Sequence, residues 1–572
     1  MDIKNLIEEE KMKGLIKKQL SLFAGLCIAV IGIYVGAKAG FDYGEFPLIG
    51  SRNLVWILAQ TMLLFAAFIL AVPVFVLIIE IAGHIKKDER LDRLAKDFAR
   101  LLPLSYSITA ILGGLFTLAS YALFPRFMNY MTSNFKTTYV WFAILIIAET
   151  TAVYYYWTTW DKLKGDRKSQ HIILGVVLNI LGTLVMMVGN VWGSYHLSPQ
   201  GVDAAGKVIS LKDAIFNLTF IPINIHRFIA NVSFGGFICA AYAAYKFLSA
   251  ETPEEKAHYD WMGYTGTFIG VVTVILLPFA GYYFGMEIYR FNAQMGITFM
   301  GGALSKIWLL QAIVIAVIWL SVCYYLWLGL RRIPGGEQYK KFVPYLSWGL
   351  IITFAVWAVP RAWVASLEDI AGGTHWIYGT LGIMAPKIAA VNIAILAVIL
   401  TFILNRRAGK IIPEGRKGFI YLEWLIILMI IVVNLVVLYY SYQVPSATRI
   451  RLSIYTFLFM VPAIGLLYLF DGLLLKGAQR IGEIRWGDMP PRSQYALIIA
   501  AVSNVWAMAL LGYGRAAARL NWHIYGVLED TSRHAGLPPM GQATLVISGI
   551  TLLFLILIGF VFRFTGEKGG EA

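Results

Sequence analysis

Residues 221–237 read IPINIHRFIANVSFGGF, an oily run holding one histidine, His226, with Arg227 beside it. The apolar character extends from about 216 to 248, and crossing the hydrocarbon core of a membrane takes about 20 such residues. An open chain inside lipid must satisfy its own backbone amides, so this stretch reads as a membrane helix. The question it poses is what a ring able to bind metal is doing near the end of that helix.

The whole chain repeats the pattern. Its length of 572 residues would suggest several soluble domains, but 59% of it is hydrophobic and 14% charged. That composition indicates an all-α, polytopic membrane helix bundle. About fourteen runs are long enough to span. They lie near 18–38, 53–82, 102–124, 137–158, 171–194, 216–248, 261–286, 302–330, 342–365, 384–405, 418–441, 451–475, 494–513 and 542–564. No signal-cleavage pattern follows the first of them.

Lysine and arginine concentrate in alternate connections, among them HIKKDERLDRLAKDFAR (84–100), DKLKGDRKSQ (161–170), RRIPGGEQYKK (331–341) and NRRAGKIIPEGRKG (405–418). This positive-inside asymmetry places the N-terminus in the cytoplasm of a prokaryotic cell, with the chain passing repeatedly through the plasma membrane. The net charge of +15 then reports topology and contact with anionic membrane lipid rather than nucleic acid. Cys27, Cys239 and Cys323 all fall within spans, where packing accounts for them and no disulfide or CxxC motif is expected.

Ionisable groups inside spans are costly and mark candidate sites. Here they are Glu80, Glu149, His226, Lys306 and Asp471. A neutral imidazole ligates iron well. Ala230 and Ser233 share the face of His226 and would let a flat macrocycle approach. Arg227, Arg449, Arg451 and Arg519 could pair with haem propionates. The alternative is a histidine bonded to a neighbouring helix. Glu149 could relay protons, or bond a serine or threonine across the bundle.

Several segments, in order, resemble subunit I of cytochrome bd-type oxidases. GNVWGSYHLSPQG followed by DAIFNLTFIPINIHRFIANVSFGGF matches that family's G/A-N-G-W…P and F/L-N-P…His pattern through Asn190, Trp192, Pro199, Phe216, Asn217 and His226. AETTAVYYYWTTWDKLKGDRKSQH is similar to its L-E-S-T…GWDRL…QH run through Glu149, Thr151, Trp160, Asp161, Leu163 and His171. Glu80 meets a family glutamate, and ARLNWHIYGVLEDTS resembles the G-R-Q-P-W loop through Arg519 and Trp522. The resemblance covers about 50–290 and, more loosely, 445–564. It implies a low-spin b haem held by His226 and a methionine. Met460, in FLFMVPAIGLLYL, is similar to the family's F-R-I-M-V-G. Counted at about 1.5 Å per residue into a span entering from the same side, it reaches a depth comparable to His226.

The departures are as informative. No histidine precedes His84, and Met62 stands near the place of the family's high-spin haem ligand. Trp141 and Ala509 fall near two family glutamates, and the long quinol-binding loop is replaced by helices. A further haem would need unfamiliar ligands, for which His375, His523 and His534 are the candidates, or they are simply solvated. The expected organisation is an extra N-terminal helix (1–50), a subunit I-like core (51–290), an inserted four-helix segment (291–445) and the returning core (446–572). An internal echo sets ALSKIWLLQA over RLSIYTFLFM, with Leu304 and Ser305 over Leu452 and Ser453.

The expected function is a haem-binding electron-transfer subunit of a bd-like terminal oxidase. A quinol or c-type cytochrome would be the donor and oxygen the possible acceptor, and a partner or homologous subunit would complete it. A haem-poor structural subunit of a respiratory complex and a secondary transporter are the alternatives. Span 9, ending in Pro360 and Arg361, is the feature that favours the transporter.

Overall fold

The computed structural model describes residues 43–300, 304–358, 384–441, 443–444, 446–533, 535 and 539–566. Among these, 13 helices are long and apolar enough to cross a membrane. The expected first span (18–38), Cys27, Pro360, Arg361, His375 and His534 lie outside the described residues.

In chain order the helices are α1 (Ser51–Lys86), α2 (Glu89–Ala99), α3 (Leu102–Leu123), α4 (Pro125–Asn134), α5 (Lys136–Thr158), α6 (Lys168–Tyr195), α7 (Leu211–Ile215), α8 (Phe220–Ser249) and α9 (Pro253–Val274). There follow α10 (Leu277–Phe291), α11 (Ala293–Met300), α12 (Ser305–Gly329), α13 (Val343–Ala358), α14 (Met384–Arg407), α15 (Gly418–Ser441), α16 (Ser446–Leu474), α17 (Pro491–Ala517) and α18 (Pro539–Gly566). Two short antiparallel ribbons stand outside the membrane helices: β1 (Lys410–Ile411) with β2 (Gln479–Arg480), and β3 (Trp522–Ile524) with β4 (Leu528–Glu529).

The opening stretch becomes the axis of the fold. α8 packs on α1, α6, α9, α10 and α17, and 78% of its apolar window is buried. Lipid tails are as apolar as leucine, so membrane helices associate through close packing rather than a hydrophobic force. Small residues in α8 permit this. A Cβ on Gly236 would lie 2.6 Å from the Gly270 nitrogen and 2.8 Å from the Gly266 oxygen, both backbone atoms of α9. Ser233 Oγ donates to the Gly270 carbonyl at 2.9 Å across the same seam.

A second set of helices surrounds α14, which packs on α12, α13, α15 and α16. α12 is the bridge, because it also packs extensively on α17. Its last turn is anchored by a buried ion pair. Arg332, just beyond α12, donates to Asp260 of α9, whose other oxygen accepts from Gly487 N at 3.0 Å. The Trp486 ring lies 4.4 Å from the Arg332 guanidinium. α16 packs instead on α14 and α15. The helix at 305–329 thus lies along α17.

Candidate functional site: a cationic cluster around His226

The end of the bundle opposite the Lys/Arg-rich loops carries the first two turns of α8. There the His226 ring faces α10. Its centroid is 6.0 Å from that of Phe284, and a Cβ on Gly281 would stand 3.8 Å from both Cδ2 and Nε2. Gly281 thus leaves a gap of one methyl beside the metal-binding edge of the ring. Among the described residues the imidazole has no hydrogen-bond partner.

Next to it the structure gathers cations. Arg227 donates to Asn190 Oδ1, and Asn190 Nδ2 in turn donates to Asn224 Oδ1 at 2.8 Å. Arg515, in the last turn of α17, lies close enough to act electrostatically on both His226 and Arg227. It runs past Gly193, where a Cβ would lie 3.5 Å from its Nη1. Arg515 has no ion-pair or hydrogen-bond partner among the described residues. Arg519, one turn on and beyond the span, donates to the His523 carbonyl. Burial, then the Arg52 and Arg515 charges, push its guanidinium pKa down. The one nearby carboxylate, Asp530, is engaged by Arg52 at 3.4 Å.

Two further histidines close the cluster. His196 packs edge-on to Phe127 with its Nε2 buried and unbonded. Burial, then Arg519 and Arg515, hold its pKa well below the ordinary histidine value. His523 packs against the same Phe127 and lies 3.6 Å from Asp530. Burial lowers its pKa to about 4. The loop is tied down by Tyr525 N donating to the His196 carbonyl at 3.1 Å. Sequence reading found Arg227 and Arg519 but missed Arg515 and His196. The signal was present: GYGRAAAR puts two arginines at i and i+4 on the end of an apolar span with no acid beside them.

The remaining expected residues fall as follows. Trp522 is half-buried, with its ring centroid 6.5 Å from that of Tyr525. Arg451 is exposed on the first turns of α16. Met460 is fully buried in α16. Phe457, one turn before it, meets Phe279 and Tyr282 of α10 at 5.1 and 5.8 Å. Those two residues lie on nearly the opposite face of α10 from Gly281 and Phe284. His226 and Phe457 thus meet opposite faces of α10. Met62 touches the α3 backbone at Gly113, Trp141 is exposed and Ala509 is buried.

Glu149 is buried in α5 and accepts a long bond, 3.4 Å, from the Tyr106 hydroxyl. Its Oε1 faces Gly182 of α6, where a Cβ would lie 3.0 Å away. At the basic end, Glu80, His171 and Trp160 do come together. Glu80 Oε1 lies 2.5 Å from His171 Nδ1 and 2.7 Å from Lys168 Nζ, and Lys168 lies over the Trp160 ring.

Residues 51–300 match the family model described as cytochrome bd terminal oxidase subunit I. Among solved structures, the chain is similar to that of the bd oxidase from Geobacillus thermodenitrificans, at 14% identity and a TM-score of 0.45, over 90% of this chain and 97% of that one. No curated protein gives a significant match.

Proposed function

We propose that this chain, whose residues 51–300 match the family model of cytochrome bd terminal oxidase subunit I, is the haem-carrying electron-transfer subunit of a bd-like membrane oxidase. The observation that carries this is the His226 imidazole, without a hydrogen-bond partner among the described residues, beside Arg227, Arg515 and Arg519, for which the described residues supply no ion-pair partner. Uncompensated charge inside a membrane bundle is expensive. A site built this way calls for an anionic occupant. A b haem fits the donor set: an imidazole for the iron, and guanidinium groups for its two carboxylates.

Bound there, a haem would exchange one electron at a time with a donor and an acceptor. His226 would hold the iron from α8. Arg515 and Arg227 would orient the propionates, and Arg519 would fix the loop that closes over them. Trp522 and Arg451 remain candidate contacts at the same end. Met460 would be the candidate second residue to hold the iron. Glu149, held by Tyr106, is the candidate proton carrier within the bundle.

Oxygen reduction would fall to a further haem, held by ligands not yet identified in this chain or by a partner subunit, with a quinol or c-type cytochrome as donor. The core comprises 51–332 with 491–566, and 343–474 forms a peripheral block. The Lys/Arg-rich loops face the cytoplasm.

The test is a reduced-minus-oxidised spectrum with haem stoichiometry on the purified chain. A b-type band that His226→Ala abolishes is the expected result. A wild-type chain with no haem band ends the proposal.

A further inference from the structure

The β1–β2 ribbon lies at the basic end, a few residues past the ends of α14 and α16. Its register places Lys410 directly opposite Arg480. Directly paired residues in an antiparallel ribbon project from the same face, where like charges are destabilising. Arg406 and Arg407 already engage Asp471 at 3.0 and 2.7 Å, and Arg407 also takes Glu423. Among the described residues no carboxylate pairs with Lys410 or Arg480. Burial, then the Arg406 and Arg480 charges, lower the Lys410 pKa, with Asp471 offsetting this in part.

The other face of the ribbon is apolar and open. Ile411 is 58% and Ile481 49% exposed, although the next segment is held in place by Ile481 N donating to Gly409 O at 2.9 Å. An ammonium and a guanidinium side by side make a phosphate receptor. Isoleucines on the reverse face, at the ends of membrane helices, belong at the boundary between headgroups and acyl chains. We propose that Lys410 and Arg480 form a binding site for the phosphate of an anionic phospholipid at the basic ends of α14 and α16. This stands independently of the haem reading.

The experiment is lipid binding to the full chain in neutral detergent, probed with phosphatidylglycerol, phosphatidylcholine and inorganic phosphate. Phosphatidylglycerol should bind at least about tenfold more tightly than phosphatidylcholine. The double variant Lys410→Gln/Arg480→Gln should bind it about 30-fold more weakly, the effect of two interfacial charges. The charge-preserving Lys410→Arg/Arg480→Lys should bind nearly as wild type does. Wild-type binding should weaken as salt rises from about 0.05 to 0.5 M, a reading that needs no variant to fold. Unchanged affinity in the Gln variant, or salt-insensitive binding in wild type, overturns the site. Displacement of phosphatidylglycerol by millimolar inorganic phosphate assigns it to a free anion and overturns the lipid.

Discussion

Replacing Arg515 by methionine keeps most of the side chain's length and removes its charge. The structure predicts effects of opposite sign with and without haem. In the haem-free protein Arg515 has no partner and lies near Arg227 and Arg519. Two like charges about 8 Å apart at an effective dielectric of about 20 repel by about 2 kcal/mol. Removing one, together with its desolvation, should stabilise the haem-free bundle by about that much. With haem bound, the same substitution deletes a charge-assisted bond to a carboxylate, about 2 kcal/mol, or about 30-fold in haem affinity. Haem titration of the purified chain, with thermal melts of the haem-free and loaded forms, reads both numbers. Arg515→Lys, which retains charge but not the fork, should fall between. A haem-free Arg515→Met that melts lower than wild type, with haem affinity unchanged, would refute the reasoning, because Arg515 would then be a structural residue.

Three further outcomes follow from packing and charge. Asp260→Ala leaves Arg332 buried and unpaired and should cost about 3–5 kcal/mol, seen as a lower melting temperature, while Asp260→Ala with Arg332→Met should recover much of the loss. Gly236→Val drives a side chain into the α9 backbone, which cannot retreat as a flexible side chain would, so the variant should lose its monodisperse elution peak. His523 and His196 are held neutral by burial beside Arg52, Arg126, Arg515 and Arg519. Between about pH 6.5 and 4 the unfolded chain takes up protons that the folded one refuses. Stability should therefore fall on acidification through that window, by up to about 1.4 kcal/mol per pH unit per histidine. His523→Gln should flatten the melting-temperature profile between pH 7.5 and 5.

The spans were legible because membrane insertion is read from local composition. The described spans begin within about five residues of their expected positions, except the one expected at 261–286, which begins at Pro253 and breaks into α9 and α10. The short β1–β2 and β3–β4 ribbons were not legible, since two- or three-residue pairings between distant segments leave no periodicity. Glu80, His171 and Trp160 were drawn together by the family pattern, and the structure shows why: one buried lysine, Lys168, ties the carboxylate to the ring. Arg515 was missed because a span-end arginine looks like an ordinary interfacial anchor. Only the absence of any acceptor around it sets it apart, and that is a tertiary fact. Helix adjacency was the least legible feature. Counting spans gives depth and direction, so Met460 and His226 could be placed at one level. Counting cannot say which helices are neighbours.

The internal echo read from the sequence, taken as a proposal, leads to a last prediction. Setting Leu304 over Leu452 sets Ala312 over Met460. α12, the helix bearing Ala312, is the one that packs on α17, and Ala312 is buried there. The copy of the motif lying along α17 thus has a methyl where the other has a thioether. If α16 keeps its place on α14 and α15, His226 would be the one ligand this chain offers the iron. An iron held by one protein ligand keeps a coordination position open and binds carbon monoxide when reduced, whereas one held by histidine and methionine does not. The reduced wild-type chain loaded with haem should therefore show a carbon monoxide difference spectrum. Met460→Leu should leave both that spectrum and the haem affinity as they were, since a buried methionine exchanges for leucine at a cost under about 1.5 kcal/mol. A carbon monoxide-inert haem whose spectrum changes on Met460→Leu would mean that α16 leaves that place, and would restore the sulfur to the iron.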